Sequence, residues 1–254
     1  MLKAQRQEAI VKLVNETGSA TVTDISNRLN VSAMTIRRDL EELSAVGALV
    51  RIHGGARKAE DGSIAMLIRE LTNTEKQEVH SSEKAQVANT AAQLVSNGEN
   101  VFIGTGTTGE ALARAVLYKR IRAITNSLTV FNIIKDARNI EPMLIGGDYR
   151  PTTGAFVGPM AEKVGEAIGI DKAFVGVNGI YDGAVSTASS AEGSLQRLIL
   201  DRSSERYIIA DSSKVGRRDF YDFYQLGDID ALVTDATLTS EQRTSLEGIV
   251  RVLM

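Results

Sequence analysis

The sequence predicts an α/β protein with two unequal domains, an N-terminal winged helix-turn-helix and a larger domain with a mainly parallel sheet. Two patterns support this prediction. Residues 1–58 combine helical spacing of apolar side chains with a short alternating segment, whereas residues 83–254 alternate apolar strands with helices. The polar stretch between them, residues 59–82, is expected to be a linker with some helix. A length of 254 residues accommodates one large domain or two unequal ones.

The composition excludes several kinds of chemistry. The chain has no cysteine, which excludes disulfides, cysteine zinc sites and thiol nucleophiles. It has only two histidines, which argues against a histidine metal site, and we expect neither a metal nor a cofactor. The first residues mix charges with apolar side chains, and no apolar run reaches the roughly 18 residues that span a bilayer. We therefore expect a cytoplasmic protein without a membrane partner.

The charge is distributed unevenly along the chain. A net charge of −3, taken alone, argues against a nucleic-acid partner. Residues 1–58, however, hold nine Lys and Arg against six Asp and Glu, so they are net +3 and the remainder is net −6. A basic first domain on an acidic body is compatible with nucleic-acid binding by the first domain.

The first domain begins with two helices. Apolar side chains at helical spacing predict a helix from Lys3 to Glu16, which ends at Thr17-Gly18. Thr21 and Asp24 have the spacing of a capping box, in which the hydroxyl accepts an early backbone N–H and the carboxylate reaches back. They predict a second helix that runs to about Leu29.

A third helix follows after a tight turn. Ser32 is a good N-cap for a helix from Ser32 to about Val46, which Gly47 stops. The inward stripe of this helix is Ile36, Leu40 and Leu43. Two short helices joined across three or four residues fit a helix-turn-helix, whose second helix enters the major groove of DNA.

A short hairpin completes the first domain. Residues 48–53 alternate, with Val50 and Ile52 on one face and Arg51 and His53 on the other, before the Gly54-Gly55 turn. This is the pattern of a β-wing whose polar face contacts the DNA backbone. The expected DNA contacts on the third helix and the wing are Ser32, Met34, Thr35, Arg37, Arg38, Arg51 and His53.

The arginine pair of the third helix has a second interpretation. Arg37 and Arg38 precede Glu41 and Glu42 by four residues, the spacing of ion pairs on a helix surface. A small helical domain with a solvated charged face would show the same pattern. The capped helix, the arginine pair and the hairpin together favour DNA binding.

The larger domain is predicted to hold seven strands with helices between most of them. The strands are apolar runs at residues 101–103, 121–125, 143–145, 173–177, 207–210, 231–234 and 250–253. Such runs are typical of a parallel sheet that is buried on both faces. Ligands of these sheets bind at the carboxyl ends of the strands.

The first of these strands ends in a glycine-rich loop. Residues 104–109, with the letters GTGTTG, lead straight into a helix, so backbone N–H groups and hydroxyls form a cradle for an anion. The same letters satisfy the dinucleotide fingerprint, but the next strand ends in Thr125-Asn126 rather than in the acid that holds a ribose. A purely structural glycine turn is a third interpretation. A small phosphorylated ligand is the favoured one.

Motifs in both domains resemble one family of bacterial regulators. Residues 31–40, VSAMTIRRDL, and residues 51–56, RIHGGA, are similar to the winged helix of DeoR-type transcriptional regulators. Further motifs agree in order and spacing: GTT at 106–108, TNS at 125–127, GG at 146–147, VGP at 157–159 and ADSSK at 210–214. The resemblance covers nearly the whole chain.

The resemblance implies a repressor of a sugar-utilisation operon. It implies that the TIRRDL helix reads operator DNA, and that the larger domain resembles ribose-5-phosphate isomerase in fold and senses a phosphorylated sugar. Because one DNA-binding domain, or head (residues 1–58), makes few base contacts, we expect a homo-oligomer, either a dimer or a tetramer.

The resemblance also implies the residues of the effector site. The loop at residues 104–109 and Lys214 would bind the phosphate, and residues at other strand ends would bind the sugar hydroxyls. The full set is Gly104, Gly106, Thr107, Thr108, Asn126, Ser127, Gly147, Asp148, Asn178, Glu192 and Lys214.

Two positions depart from the pattern of the family. Gly104 stands where many members have Asp, and we first expect a hexose phosphate of the lactose/galactose or fructose routes. Asn178 stands where an acid is common, whereas proton transfer at a sugar carbon needs a carboxylate base. We therefore expect a site that binds the sugar phosphate without converting it. The alternative is a sugar-phosphate isomerase-like enzyme with an accessory DNA-binding head.

Overall fold

Two compact units make up the chain, one within residues 1–70 and one within residues 71–254. The computed structural model describes residues 3–45, 48–52, 54–57 and 79–254. The domain limits at residues 58 and 82 stay predictions, because residues 58–78 lie outside these ranges. Within the described ranges, no helix is long and apolar enough to cross a membrane.

The N-terminal unit holds three helices and a three-stranded antiparallel sheet. Its elements are α1 (Lys3–Thr17), β1 (Ser19–Thr21), α2 (Val22–Leu29), α3 (Ala33–Ala45), β2 (Val50–Ile52) and β3 (Gly55–Arg57). The sheet has the strand order β1-β3-β2. The predicted helices and the hairpin are confirmed, and β1 joins the hairpin as a strand that the pattern did not predict. The predicted stop of the third helix at Gly47 lies outside the described residues.

Local hydrogen bonds position the turn between α2 and α3. Thr21 Oγ1 accepts from the backbone N–H of Asp24 at 3.1 Å, and Asp24 Oδ2 accepts from the backbone N–H of Thr21 at 3.2 Å. The predicted capping box is therefore present. Asn30, in the left-handed conformation with φ of 52°, ends α2. Ser32 Oγ then accepts from the backbone N–H of Thr35 at 3.3 Å and caps α3, as predicted.

A buried ion pair fixes the orientation of α3 against α1. Asp39 is 1% exposed on the inward face of α3 and accepts from Arg6 Nε at 2.5 Å and Nη2 at 3.1 Å. The hydrogen bond to Asp39 raises the pKa of Arg6 above its ordinary value, and burial opposes it less strongly. Because Ile36 and Leu40 are fully buried on the same face, Arg37 and Arg38 lie on the exposed side of α3.

The C-terminal unit is built on a seven-stranded parallel sheet with the order β15-β14-β12-β9-β4-β5-β6. These strands are β4 (Asn100–Ile103), β5 (Ile121–Thr125), β6 (Ile140–Leu144), β9 (Ile170–Gly176), β12 (Ser203–Ile209), β14 (Ala231–Val233) and β15 (Val252–Leu253). The helices are α4 (Ser81–Leu94), α5 (Thr107–Ala115), α6 (Leu128–Ile134), α7 (Pro159–Ala167), α8 (Ser190–Arg202) and α9 (Ser240–Glu247). All seven predicted strands are confirmed as the strands of this sheet.

Five further strands escaped prediction because they are short and mostly lack an apolar run. They are β7 (Asp148–Arg150) and β8 (Ala155–Val157), which form a hairpin, and β10 (Gly179–Tyr181), β11 (Ala184–Thr187) and β13 (Tyr221–Gln225), which form an antiparallel sheet. β6, β9 and β12 also begin three or four residues earlier than predicted, since their first halves include charged side chains such as Lys172 and Glu205.

Apolar layers cover both faces of the parallel sheet. Side chains of α4, α5 and α6 form one layer with Val101 and Ile103 of β4. Side chains of α7 and α8 form the other layer with Phe102, the intervening residue of β4. This alternation confirms the predicted burial on both faces.

The strand order reverses between β4 and β9. From β4 the chain adds β5 and β6 on one side, and then places β9, β12, β14 and β15 on the other. Loops that leave adjacent parallel strands in opposite directions open a crevice at the carboxyl edge of the sheet. The reversal therefore brings the glycine-rich loop after β4 next to residues 177–178 after β9.

We predict that Asp39→Asn destabilises the N-terminal unit by about 3 kcal/mol, because it leaves the Arg6 guanidinium half-buried without its anion. Urea unfolding of the full chain would measure the change. The control is Arg38→Gln, which removes only the exposed Arg38–Glu42 pair at 3.7 Å and is expected to cost less than about 0.5 kcal/mol. Equal stabilities of the two variants would contradict the structural importance of the buried pair.

Candidate functional site

The glycine-rich loop ends at the N-terminus of α5, at the crevice between β4 and β9. Gly106 is the N-cap of α5, with φ of 99°, and no side chain among the described residues caps the helix there. Thr107 and Thr108 form the first turn of α5. The first backbone N–H groups of a helix have no intrahelical acceptor and carry the positive end of its dipole. The arrangement is suited to an anion.

Backbone contacts hold this loop tightly in place. The Gly104 N–H donates to the Phe174 carbonyl of β9 at 2.9 Å. A Cβ at Gly104 would lie 3.2 Å from that oxygen, and one at Gly109 would lie 2.3 Å from the Gly104 carbonyl oxygen. A Cβ at Gly106 would meet nothing within 4 Å, so Gly106 is required by its positive φ alone. Gly104 and Gly109 thus have the structural role that the sequence left open.

Asn126 and Ser127 follow β5, which neighbours β4, and both are buried. Asn126 Nδ2 donates to the Phe156 carbonyl of β8 at 2.9 Å. Ser127 Oγ accepts from the backbone N–H of Val130 and caps α6. Their side chains therefore position the β7–β8 hairpin and α6 around the crevice.

Gly147 and Asp148 follow β6, two strands away from the reversal. A Cβ at Gly147 would lie 2.5 Å from the Val157 carbonyl oxygen, so the glycine permits close contact with β8. Asp148 is exposed, and its Oδ2 lies 2.6 Å from the position of a Cβ on Gly158, the N-cap of α7. The Asp148 carboxylate therefore lies near the positive end of α7.

Glu192 lies in the first turn of α8 and is 3% exposed. It accepts a hydrogen bond from the Thr153 hydroxyl, and its Oε1 lies 3.6 Å from Arg150 Nη1. Both partners come from the β7–β8 hairpin and its turn, which the sequence analysis missed. Thr153 lies 39 residues before Glu192 along the chain, so spacing in the sequence could not relate the hairpin to Glu192.

Asn178 follows β9 at the reversal itself. Its Nδ2 donates to Asp219 Oδ2 at 2.8 Å, and the Asp219 N–H donates to Ser186 Oγ at 2.8 Å. The nearest acids in the sequence were Asp182 and Glu192. The structure adds Asp219, which lies 41 residues from Asn178 along the chain and could not be found by spacing.

Lys214 ends a short 3-10 helix, Ser212–Lys214, which follows β12. Asp211 Oδ1 accepts from the Ser213 N–H at 3.1 Å, and Asp235 Oδ2 accepts from the Ser212 N–H at 2.6 Å. Burial raises the pKa of Asp235, but hydrogen bonds from Thr237 and Ser212 outweigh it and hold that pKa below its ordinary value. Lys214 therefore starts from a rigid backbone one strand away from the reversal.

The exposed side of α3 carries the outward residues predicted for it. Met34 is 73% exposed and the Arg38 side chain is 80% exposed, while Arg37 is also exposed. Arg38 pairs with Glu42 at 3.7 Å, as the alternative interpretation expects. Because this pair is exposed, it contributes little and leaves Arg38 available for a stronger partner. Thr35 is half-buried and shares a 2.9 Å hydrogen bond with the Ser32 hydroxyl.

The sequence predicts that Arg51 lies on a polar face of the wing that contacts DNA, and the structure places it on the inner face. Arg51 pairs with Ala56, which is fully buried, so both side chains lie on the inner face of the sheet. Arg51 Nη1 donates to the Arg37 carbonyl of α3 at 3.1 Å. Val50 and Ile52 lie on the outer face and are 36% and 41% exposed. Arg51 therefore ties the wing to α3, and His53 lies outside the described residues.

Metal sites and dinucleotide sites each require a particular set of side chains. Among the described residues, no three His, Cys, Asp or Glu side chains lie close enough to hold a metal ion. The strand order is that of doubly wound dinucleotide-binding sheets, but Asn126 and Ser127 follow β5, where such a site has a carboxylate for the ribose.

A winged helix-turn-helix joined to a ligand-sensing α/β unit defines a ligand-controlled DNA-binding regulator. The family models agree: residues 6–61 match the DeoR-like helix-turn-helix domain, and residues 79–236 match the DeoR C terminal sensor domain. The chain belongs to the DeoR family and is a sugar-operon repressor.

Curated relatives carry the name lactose phosphotransferase system repressor. The chain is 40% identical over 237 residues to the repressor of that name from Streptococcus mutans. The alignment covers 92% of this chain and 93% of the relative. The chain is 38% identical over 255 residues to the lactose phosphotransferase system repressor of Staphylococcus epidermidis, and the alignment covers the full length of both proteins. Among solved structures, ribose 5-phosphate isomerase A of Methanocaldococcus jannaschii aligns with 54% of this chain and 55% of its own, at 16% identity and a TM-score of 0.41.

We predict that Gly109→Ala destabilises the C-terminal unit by about 2 kcal/mol, because its Cβ would collide with the Gly104 carbonyl. The matched control is Gly146→Ala, where a Cβ meets nothing within 4 Å and no positive φ is required, so stability should be unchanged. Thermal unfolding of both variants measures the difference. A Gly109→Ala protein as stable as Gly146→Ala would show that the loop adjusts freely.

Proposed function

We propose that this repressor binds operator DNA through α3 and the wing, and that a phosphorylated sugar bound between β4 and β9 controls it. The main support for this effector site is the N-terminus of α5. This helix begins directly after Gly106, at the point where the strand order reverses. Backbone N–H groups at such a position bind phosphate without a cationic side chain. The proposed location is cytoplasmic, where a repressor of this kind meets operator DNA.

The proposed DNA contacts divide by position on the head. Met34 and Arg38 project from the exposed side of α3 and are placed to reach base edges in the major groove. Arg37, Ser32 and Thr35 lie closer to the backbone of the duplex. On the wing, Arg51 and His53 remain proposed phosphate contacts, with Arg51 also holding the Arg37 carbonyl.

The proposed effector contacts form groups at different distances from the point between β4 and β9 where the strand order reverses. Gly104, Gly106, Thr107 and Thr108 form the phosphate end, and Lys214 supplies charge from the next strand. Neighbouring strands lie about 4.8 Å apart. The proposed hydroxyl contacts at the reversal or one strand away are Asn178, Asn126 and Ser127, and those two strands away are Gly147 and Asp148. Glu192, also a proposed hydroxyl contact, lies in α8 against the β7–β8 hairpin.

The sugar that we propose is a hexose phosphate. The relatives are named for a lactose phosphotransferase system, which supports the lactose/galactose route over the fructose route for this chain. A dimer or tetramer is proposed, because two linked heads on adjacent half-sites gain affinity through effective concentration.

We propose that the site binds without catalysis. A base for sugar isomerisation needs a carboxylate that reaches the substrate. Glu192 is held by Thr153 and Arg150 and Asp219 accepts from Asn178, which supports binding and positioning roles for these carboxylates rather than proton transfer. The proposal is therefore a regulator and not an isomerase-like enzyme with an accessory head.

The experiment that tests this proposal is operator release by a panel of sugar phosphates. Galactose 6-phosphate, fructose 1-phosphate, fructose 6-phosphate and ribose 5-phosphate are added to the protein–operator complex, and fluorescence anisotropy reports the operator affinity. We expect a hexose phosphate to change that affinity, and Lys214→Ala to abolish this response while DNA affinity without sugar phosphate stays unchanged. A full response from Lys214→Ala would remove Lys214 from the phosphate site. Interconversion of aldose and ketose phosphates in the same mixtures would favour the enzyme.

For DNA recognition, we predict that Arg38→Ala weakens operator binding by about 1–3 kcal/mol, as loss of one base contact does. Lys12→Ala is the matched control, since Lys12 is an exposed cation of α1 that pairs with Glu16 at 3.9 Å. Titration with operator and with unrelated duplex DNA separates base reading from charge. An operator affinity equal to that of Lys12→Ala would exclude Arg38 from base reading.

A further inference from the structure

The outward side of α3 changes in chemical character along its length. Met34 in the first turn, Arg37 and Arg38 in the second and Glu41 in the third are all exposed. The last three follow Met34 by three, four and seven positions, so the four side chains form one outward ridge. This ridge is apolar at its start, cationic in its middle and acidic toward its end.

The acidic end limits which part of α3 approaches DNA closely. Phosphates border the major groove on both sides, so they repel the exposed carboxylate of Glu41 and attract Arg37 and Arg38. The recognition helix of a helix-turn-helix contacts base edges with its N-terminal residues. The charge pattern of α3 therefore favours an approach in which the first two turns lie deepest in the groove.

Met34 lies at the leading end of this ridge. Its side chain is 73% exposed, and it takes no part in the core of the head, where Ile36 and Leu40 of the same helix are fully buried. A methionine side chain is flexible and polarizable, and its thioether is only a weak hydrogen-bond acceptor. Any contact that Met34 makes with a partner is therefore mainly apolar.

The major-groove edges of the base pairs offer one apolar group. Guanine, adenine and cytosine present acceptors and donors there, whereas thymine presents an acceptor and its C5-methyl group. An apolar side chain that reaches the base edges therefore has a specific partner only where a thymine is present. Met34 precedes Arg38 by four residues, about 6 Å along the helix axis. This distance corresponds to about two base-pair steps.

We propose that Met34 is a specificity-determining residue of the head, whose side chain packs against the methyl group of a thymine in the operator. This inference rests on the proposed function and deepens it, because it names the base that the leading end of α3 reads. The thymine lies within about two base pairs of the base that Arg38 contacts. Burial of one methyl group favours thymine over uracil by about 4-fold, which corresponds to about 0.8 kcal/mol.

The test compares thymine with deoxyuridine, which lacks only the C5-methyl group. The full chain first selects its operator from a pool of random duplexes. Each thymine of the selected duplex is then replaced singly by deoxyuridine, and fluorescence anisotropy measures the affinity of the wild type and of Met34→Ala. We expect one replacement in each half-site to weaken wild-type binding about 4-fold and to leave binding by Met34→Ala unchanged.

Met34→Ala itself should bind the selected duplex about 5- to 10-fold more weakly than the wild type, and an unrelated duplex less than about 2-fold more weakly. Its melting temperature should match that of the wild type, because the side chain is exposed and alanine favours helices. Met34→Leu keeps an apolar side chain and should keep the preference for thymine at the same position.

The matched control is Met160→Ala. Met160 is 75% exposed, like Met34, but it lies in α7 of the C-terminal unit. We expect its response to deoxyuridine to equal that of the wild type at every position of the operator.

Two results would overturn the inference. Deoxyuridine effects that are the same in the wild type and in Met34→Ala at every position would show that Met34 contacts no thymine methyl group. An equal loss of affinity for the selected and the unrelated duplex would show that the contact of Met34 does not depend on sequence. Failure of the full chain to select any sequence would instead overturn the proposed function itself, so the two failures are distinguishable.

Discussion

The reversal of strand order between β4 and β9 is the constraint on which the sensor site depends. Parallel strands require long crossover connections, and the hand of these connections places successive helices on one face of the sheet until the order reverses. At the reversal α5 and α8 approach the same sheet edge from opposite layers. The backbone N–H groups at the N-terminus of α5 lie at this reversal.

The DNA-binding head depends on a smaller set of contacts that hold α3 from three directions. Arg6 of α1 holds Asp39, the Ser32 cap sets where the helix begins, and Arg51 of the wing holds the Arg37 carbonyl. Each contact uses a polar group on the inner or terminal side of the helix. The side chains of Met34 and Arg38 on the exposed side of α3 take no part in these three contacts.

Neighbouring residues hold several carboxylates at the carboxyl edge of the sheet. Carboxylates are present, but Glu192, Asp219 and Asp235 are hydrogen-bonded by neighbouring residues that fix hairpins and loops. These carboxylates hold the hairpin and the loops at this edge of the sheet.

The sequence by itself determined the elements that local physics controls. Helical spacing, capping residues and apolar runs were sufficient for the head and for all seven strands of the parallel sheet, because burial on both faces leaves continuous apolar segments. Short antiparallel strands such as β7 and β13 have no such run, and sequence spacing did not find them.

The tertiary structure decided which polar groups meet. The sequence analysis drew nothing from Asp39, and only the packing of α1 against α3 brings Arg6 to it. Arg51 was assigned to the outer face of the wing because alternation gives two faces without saying which is covered. Arg150 meets Glu192 and Asp219 meets Asn178 from distant parts of the chain, since partners across a sheet edge are set by strand order and not by sequence separation.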